Sequence, residues 1–142
     1  MQIKKSPNKP LRRKSKNAPR RVFVVHSLAA ARAVLAAAKA DGAGRVVLVS
    51  PPDAAAYLGV GYFAALVEAA RAEFPAIAIE AVMDCGGDPG YALSALRMGF
   101  TSVVLRGHPG AHARVAAIAR AMGARVLRDP PGRGTGRRGG GK

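Results

Sequence analysis

The sequence predicts an α/β fold in which strand–helix units repeat around a parallel sheet of four or five strands. Two patterns carry that prediction. Short, unbroken aliphatic runs recur along the chain, and each is followed by an alanine-rich stretch of helical period that stops near a glycine. Unbroken runs, rather than alternating ones, are the mark of strands buried on both faces. Strands separated by helices of this length need right-handed crossovers, which makes the sheet parallel. Periodicity leaves the strand order open.

The elements follow in order. Val22–Val25 reads as the first strand and Leu28–Lys39 as a helix, stopped by Gly42 and Gly44. Val46–Val49 is the second strand. It runs through Ser50-Pro51-Pro52-Asp53 and a connection containing Gly59-Val60-Gly61 to a helix over about Tyr62–Glu73. Ile77–Met83 is the third strand, and Tyr91–Met98 a short helix closed by Gly99. Ser102–Leu105 is the fourth, with a helix over Ala111–Met122 stopped by Gly123. Val126-Leu127 starts a fifth strand. At the end of the third strand an apolar run stops abruptly in Asp84-Cys85-Gly86-Gly87. Ligands of α/β proteins gather at the carboxyl ends of strands, so Asp84 is a candidate for chemistry there. The plainer reading makes it a cap for the next helix or turn.

Charge delimits the domain. Residues 1–21 hold nine Lys/Arg and no acid, and residues 125–142 hold six against one acid. Between them, 22–124 carries eight basic and seven acidic residues, so the net charge of +15 sits almost wholly at the two ends. The expected division is a basic tail over 1–21, one folded domain over 22–128, and a Gly/Arg-rich tail over 129–142. Both tails lack the apolar residues that offset chain ordering, and disorder is expected there. Basic segments attract polyanions through counterion release. Neither tail contains an aromatic residue on which bases could stack, so weak nucleic-acid or polyanion contact is set against a merely solubilising role.

Other classes lose support. The basic N-terminus has no apolar core of a secretory signal, and no apolar stretch has the length and helical continuity of a membrane span. The single cysteine excludes an intrachain disulfide and suits a reducing compartment, so a cytoplasmic location is expected. A phosphate loop of the form Gly-x-x-x-x-Gly-Lys-Ser/Thr is absent. His26-Ser27 stands where a dinucleotide fold has its glycines, and paired zinc-ribbon cysteines are missing.

Several segments, in order, resemble the class II fructose- and tagatose-bisphosphate aldolases. Val46–Gly59 is similar to that family's second-strand segment, and Tyr62–Ala70 to the helix after it. Gly99–Gly107, Gly-Phe-Thr-Ser-Val-Val-Leu-Arg-Gly, is close to the family's Gly-Phe-Thr-Ser-Val-Met-Ile-Asp-Gly. Met83-Asp84-Cys85-Gly86 falls where the family carries Leu-Asp-His-Gly. The resemblance spans about residues 22–128. It implies half of a (β/α)₈ barrel with strands in sequential order; the alternative is a flavodoxin-like three-layer sheet in the order 2-1-3-4-5.

The resemblance also implies chemistry. Asp84 would match the family's acid/base aspartate, while Cys85 replaces one of three histidines that hold its zinc. The other two belong to later strands beyond the similar region. Arg106-Gly107-His108 replaces the family's Asp-Gly-Ser, and His26-Ser27 stands at positions of asparagines. A Lewis-acid site needs about three protein ligands and an open position. The leading expectation is therefore a catalytically degenerate, aldolase-like domain that binds a small anion or sugar phosphate through Ser50, Asp84, Arg106 and His108. One alternative is a zinc-dependent aldehyde-lyase rebuilt across an oligomer, with Asp84 as the catalytic residue. A second is a polyanion- or RNA-contacting module acting through its basic tails. A zinc site from His26, Cys85 and His108, all at strand ends, is set against a buried Cys85 and two loop histidines. A half barrel would leave one sheet face and two edges bare, which implies association with a second copy.

Overall fold

The computed structural model describes residues 20–132, so the tails expected over 1–21 and 129–142 lie outside the described residues except at Arg20–Arg21 and Asp129–Gly132. The chain runs β1 (Arg21–Val24), α1 (Leu28–Ala40), β2 (Arg45–Val49), α2 (Ala54–Tyr57), α3 (Val60–Glu73), β3 (Ala78–Asp84), α4 (Pro89–Arg97), β4 (Ser102–Val104), α5 (Pro109–Ala121) and β5 (Arg125–Leu127). All five strands are parallel and lie in sequential order, β1-β2-β3-β4-β5. β1 is an edge strand, which removes the flavodoxin-like alternative, where it would sit between β2 and β3.

Sequential order with right-handed crossovers sends every helix to the same side. The outward residues Val46, Leu48, Ile79, Ala81, Met83, Val103 and Leu105 are buried in one core with Leu35, Phe63, Leu66, Leu96 and Val115 of the helices. Phe63 and Phe100 stack within it, with centroids 6.0 Å apart. The opposite face holds a separate valine cluster of Val47, Val49, Val82 and Val104, with Val22 and Leu127 packed against it.

Among the described residues no helix covers those four valines, yet each is at most 2% exposed. The reason is curl. At about 4.8 Å per strand spacing, a flat sheet sets β1 and β5 about 19 Å apart. Five residues reach about 17 Å at full extension. The register also puts Leu127 level with Asp84 and Val22 level with Glu80, so a link between the two must run back along the strands. Even so, the five residues after Leu127 bring Gly132 onto Val22, where an added methyl group would lie 3.4 Å from the Val22 Cβ. The sheet therefore bends toward its valine face, and half-buried Pro130 and Pro131 cross beside it. The bare inner face expected of a half barrel is not found; Val24, on the β1 edge, stays 61% exposed.

Two boundaries differ from expectation for local reasons. α4 and α5 start at Pro89 and Pro109, two residues early, because proline at the first helical position loses no hydrogen bond. Val60 and Gly61 belong to α3 rather than to a connection; the reversal of direction falls on Gly59, at φ +99°.

Candidate functional site

The carboxyl ends of the strands form a mouth in which Asp84 is the central group. Asp84 is the last residue of β3 and shares the valine face through its register with Val104, yet its side chain is fully buried. One oxygen, Oδ1, accepts three hydrogen bonds: from the Asp53 amide at 3.0 Å, the Gly86 amide at 3.0 Å and Arg106 Nη2 at 2.7 Å. The other, Oδ2, is buried and has no partner among the described residues.

Each donor is placed by sequence. Pro51 and Pro52 carry no N–H, so the first amide after Ser50 is that of Asp53, which takes a left-handed conformation at φ +58° and points to Asp84. The Asp84–Gly86 bond is an Asx turn. Gly86 is at φ +59°, and a Cβ there would collide with the Asp53 carboxylate, so this turn admits no side chain. Ser50 is buried where β2 ends; its Oγ accepts the Asp84 amide at 2.8 Å. That hydroxyl replaces a ladder carbonyl as the chain swings into Pro51-Pro52. Arg106 follows β4, and its guanidinium also lies 3.6 Å from Asp53 Oδ1 while staying 35% exposed.

The mouth therefore brings Ser50, Asp84 and Arg106 together and adds Asp53, which sequence reading did not single out. The signal for Asp53 was the double proline, which leaves its amide as the first backbone donor after Ser50. His108 lies on the same loop as Arg106 but serves as the N-cap of α5. Its Nδ1 accepts the Gly110 amide at 3.0 Å and the Ala111 amide at 3.3 Å. That geometry assigns the proton to Nε2. Asp88 caps α4 in the same way, receiving the Gly90 and Tyr91 amides. Capping of the helix after β3 thus falls to Asp88, and Asp84 is free of it.

Cys85 points away from this group. In a strand successive side chains alternate between faces, and Cys85 is buried in the helix-side core. Burial pushes its thiol up to about 12, and the charges of Asp84 and Asp88 push the same way against Arg106. His26 is exposed after β1, three strands from the β4 loop that carries His108. Among the described residues no three His, Cys, Asp or Glu side chains gather as a metal-holding group. The donor set of His26, Cys85 and His108 does not fit zinc as it stands, because one ligand is turned to the core and another is spent on a helix cap.

No protein-family model matches the chain, and no curated protein does. A hollow of about 410 Å³ lies away from the mouth. It lies between the second half of α3 and the end of α4, beside Val67, Arg71, Met98 and Phe100. α4 has nine residues against fourteen in α3, so it leaves part of β3 less covered. Among the described residues no helix is long and apolar enough to cross a membrane.

Proposed function

We propose that the chain is a class II aldolase-like half barrel that binds a sugar phosphate at its mouth without cleaving it. The supporting observation is the Asp84 carboxylate, fixed by three donors on Oδ1 and left without a partner on Oδ2. A buried acceptor without a protein partner favours a hydroxyl, of water or of a ligand, since satisfying it recovers the cost of an unpaired polar atom. Arg106 has further guanidinium N–H groups beside it, and His108 offers Nε2–H on the same loop, so a phosphate attached to the hydroxylated carbons has donors within the mouth.

A bare anion has less support. The helix-start amides at Gly90, Tyr91, Gly110 and Ala111 are already taken by their caps, and Asp53 and Asp84 offset the charge of Arg106. Cleavage has less support again. Cys85 stands, by resemblance, at a metal histidine but faces the helices.

The test is calorimetric titration of the full chain with glycerol 3-phosphate, glycerol and inorganic phosphate. Binding of the first alone, abolished by Arg106→Ala and weakened by Asp84→Asn, is the expected result; equal binding of inorganic phosphate would remove the hydroxyl from the reading. In the presence of zinc, the protein is expected to leave ketose bisphosphates intact. Turnover that disappears in Asp84→Ala would instead establish the lyase.

A further inference from the structure

We propose that the end of the domain opposite the mouth, where the strands begin, is a docking surface for the phosphate backbone of a nucleic acid. The fold gathers its basic residues there. Arg45 opens β2 and Arg125 opens β5, while Arg20 directly precedes β1. Helices end where strands begin, so Lys39, Arg97 and Arg120, each in the last turn of its helix, reach the same end. All six are exposed.

Favourable contact with helix C-termini explains the helical three, but not the arginines that open strands. Four of these six cations are also not consumed locally. Glu80 is shared between Arg20 at 3.8 Å and Arg125 at 3.2 Å, and Asp41 pairs with Arg21 at 2.9 Å. Lys39, Arg45, Arg97 and Arg120 have no ion pair among the described residues. The mouth has the reverse balance, with Asp53, Asp84 and Asp88 against Arg106 and Arg114.

Two further features make this end a surface rather than a scatter of charges. A hollow of about 130 Å³ opens between Arg20 and Arg45, walled by Val46, Ala78 and Glu80, with room for one phosphate group. The chain after β5 also returns to this side. Gly132 rests against Val22, the second residue of β1, so both described ends meet the domain on the β1 side of the strand starts. By sequence alone, residues 1–19 add seven Lys/Arg and 133–142 add four, with no acid in either.

The occupant follows from shape and residue type. A phosphate in a recess between two arginines suits a strand whose phosphates project singly, whereas a bilayer presents a flat layer. The exposed tyrosines, Tyr57, Tyr62 and Tyr91, all stand toward the mouth at the end of α2 and the starts of α3 and α4. Among the described residues the strand-start end therefore has no exposed aromatic for base stacking, and recognition there is of the backbone, without sequence preference.

The test is fluorescence anisotropy of a labelled mixed-sequence single-stranded oligonucleotide, titrated with the full chain over a series of salt concentrations. Each phosphate neutralised on a single strand contributes about 0.7 to the slope of log K against log salt. Arg45→Gln/Arg97→Gln/Arg120→Gln is expected to flatten that slope by about 2. The corresponding triple lysine variant keeps the charge and is expected to keep the slope. Arg114→Gln, at the mouth end, is expected to leave it unchanged. Three results would overturn the proposal: a wild-type slope in the triple glutamine variant, which assigns the binding to the termini; an equal loss per charge in Arg114→Gln, which assigns it to net charge; or binding to phosphatidylserine vesicles without binding to the oligonucleotide.

Discussion

Asp84→Ala tests whether one carboxylate oxygen holds the mouth together. The substitution removes the common acceptor of two backbone amides and one guanidinium. Arg106 contributes little to the loss, because it is 35% exposed and retains Asp53 at 3.6 Å. The buried Gly86 amide has no such recourse and costs about 1–3 kcal/mol when unpaired, while the part-buried amide of the exposed Asp53 loses a hydrogen bond worth about 1 kcal/mol. The two losses together, with water entering part of the space left by the carboxylate, come to about 3 kcal/mol. For a domain of this size that lowers Tm by about 12 °C.

Thermal unfolding followed by circular dichroism at neutral pH measures it directly. Asp84→Asn sharpens the result. It keeps an acceptor for the two amides but places N–H donors where Oδ2 has no partner, so a smaller loss of about 2 kcal/mol is expected. An alanine variant that melts within about 3 °C of the wild type would refute the reasoning, since the amides must then be satisfied without Asp84.

The remaining predictions concern the buried thiol and the returning C-terminal segment. Cys85 has an ordinary value of 9.0 and is pushed up to about 12 in the fold. Between those values the unfolded chain is the more deprotonated, so stability present below pH 9 falls as pH rises toward 12. Cys85→Ala should show a shallower alkaline decline in denaturant midpoint than the wild type, and parallel curves would contradict the burial. Truncation after Leu127 removes the segment that crosses to Val22 and uncovers the valine face. Sedimentation velocity should then show more self-association than in the full chain, and identical profiles would mean that the curl alone shields these valines.

Much of the fold was legible because its signals are local. Leu28–Lys39 and Val46–Val49 fall within a residue of α1 and β2, where a helical stop and an aliphatic run leave little choice. The period of a strand also carried information about the site: adjacent residues such as Asp84 and Cys85 face opposite sides, which parts the thiol from the mouth carboxylate. Asp53 was harder to see, since its bond to Asp84 spans 31 residues and depends on how two loops meet. The curl was harder still. It follows from five residues linking β5 to β1, a distance that no periodicity encodes.

The two ends of the domain should act independently, and their separation says why. The seven residues of β3, Ala78–Asp84, extend for about 20 Å between the strand-start arginines and the Asp84 carboxylate. At physiological ionic strength the screening length is about 8 Å, so charge changes at one end are largely invisible at the other. The groups that hold Asp84 all come from the mouth loops, and those around Glu80 come from the strand starts. With no shared partner, free-energy effects at the two ends should add. Loss of sugar-phosphate binding in Arg106→Ala should therefore leave the salt slope of oligonucleotide binding unchanged, while the triple arginine variant should titrate with glycerol 3-phosphate like the wild type. A coupling between the two would require a rigid element with two arrangements, and β3 is the only strand that carries both Glu80 and Asp84.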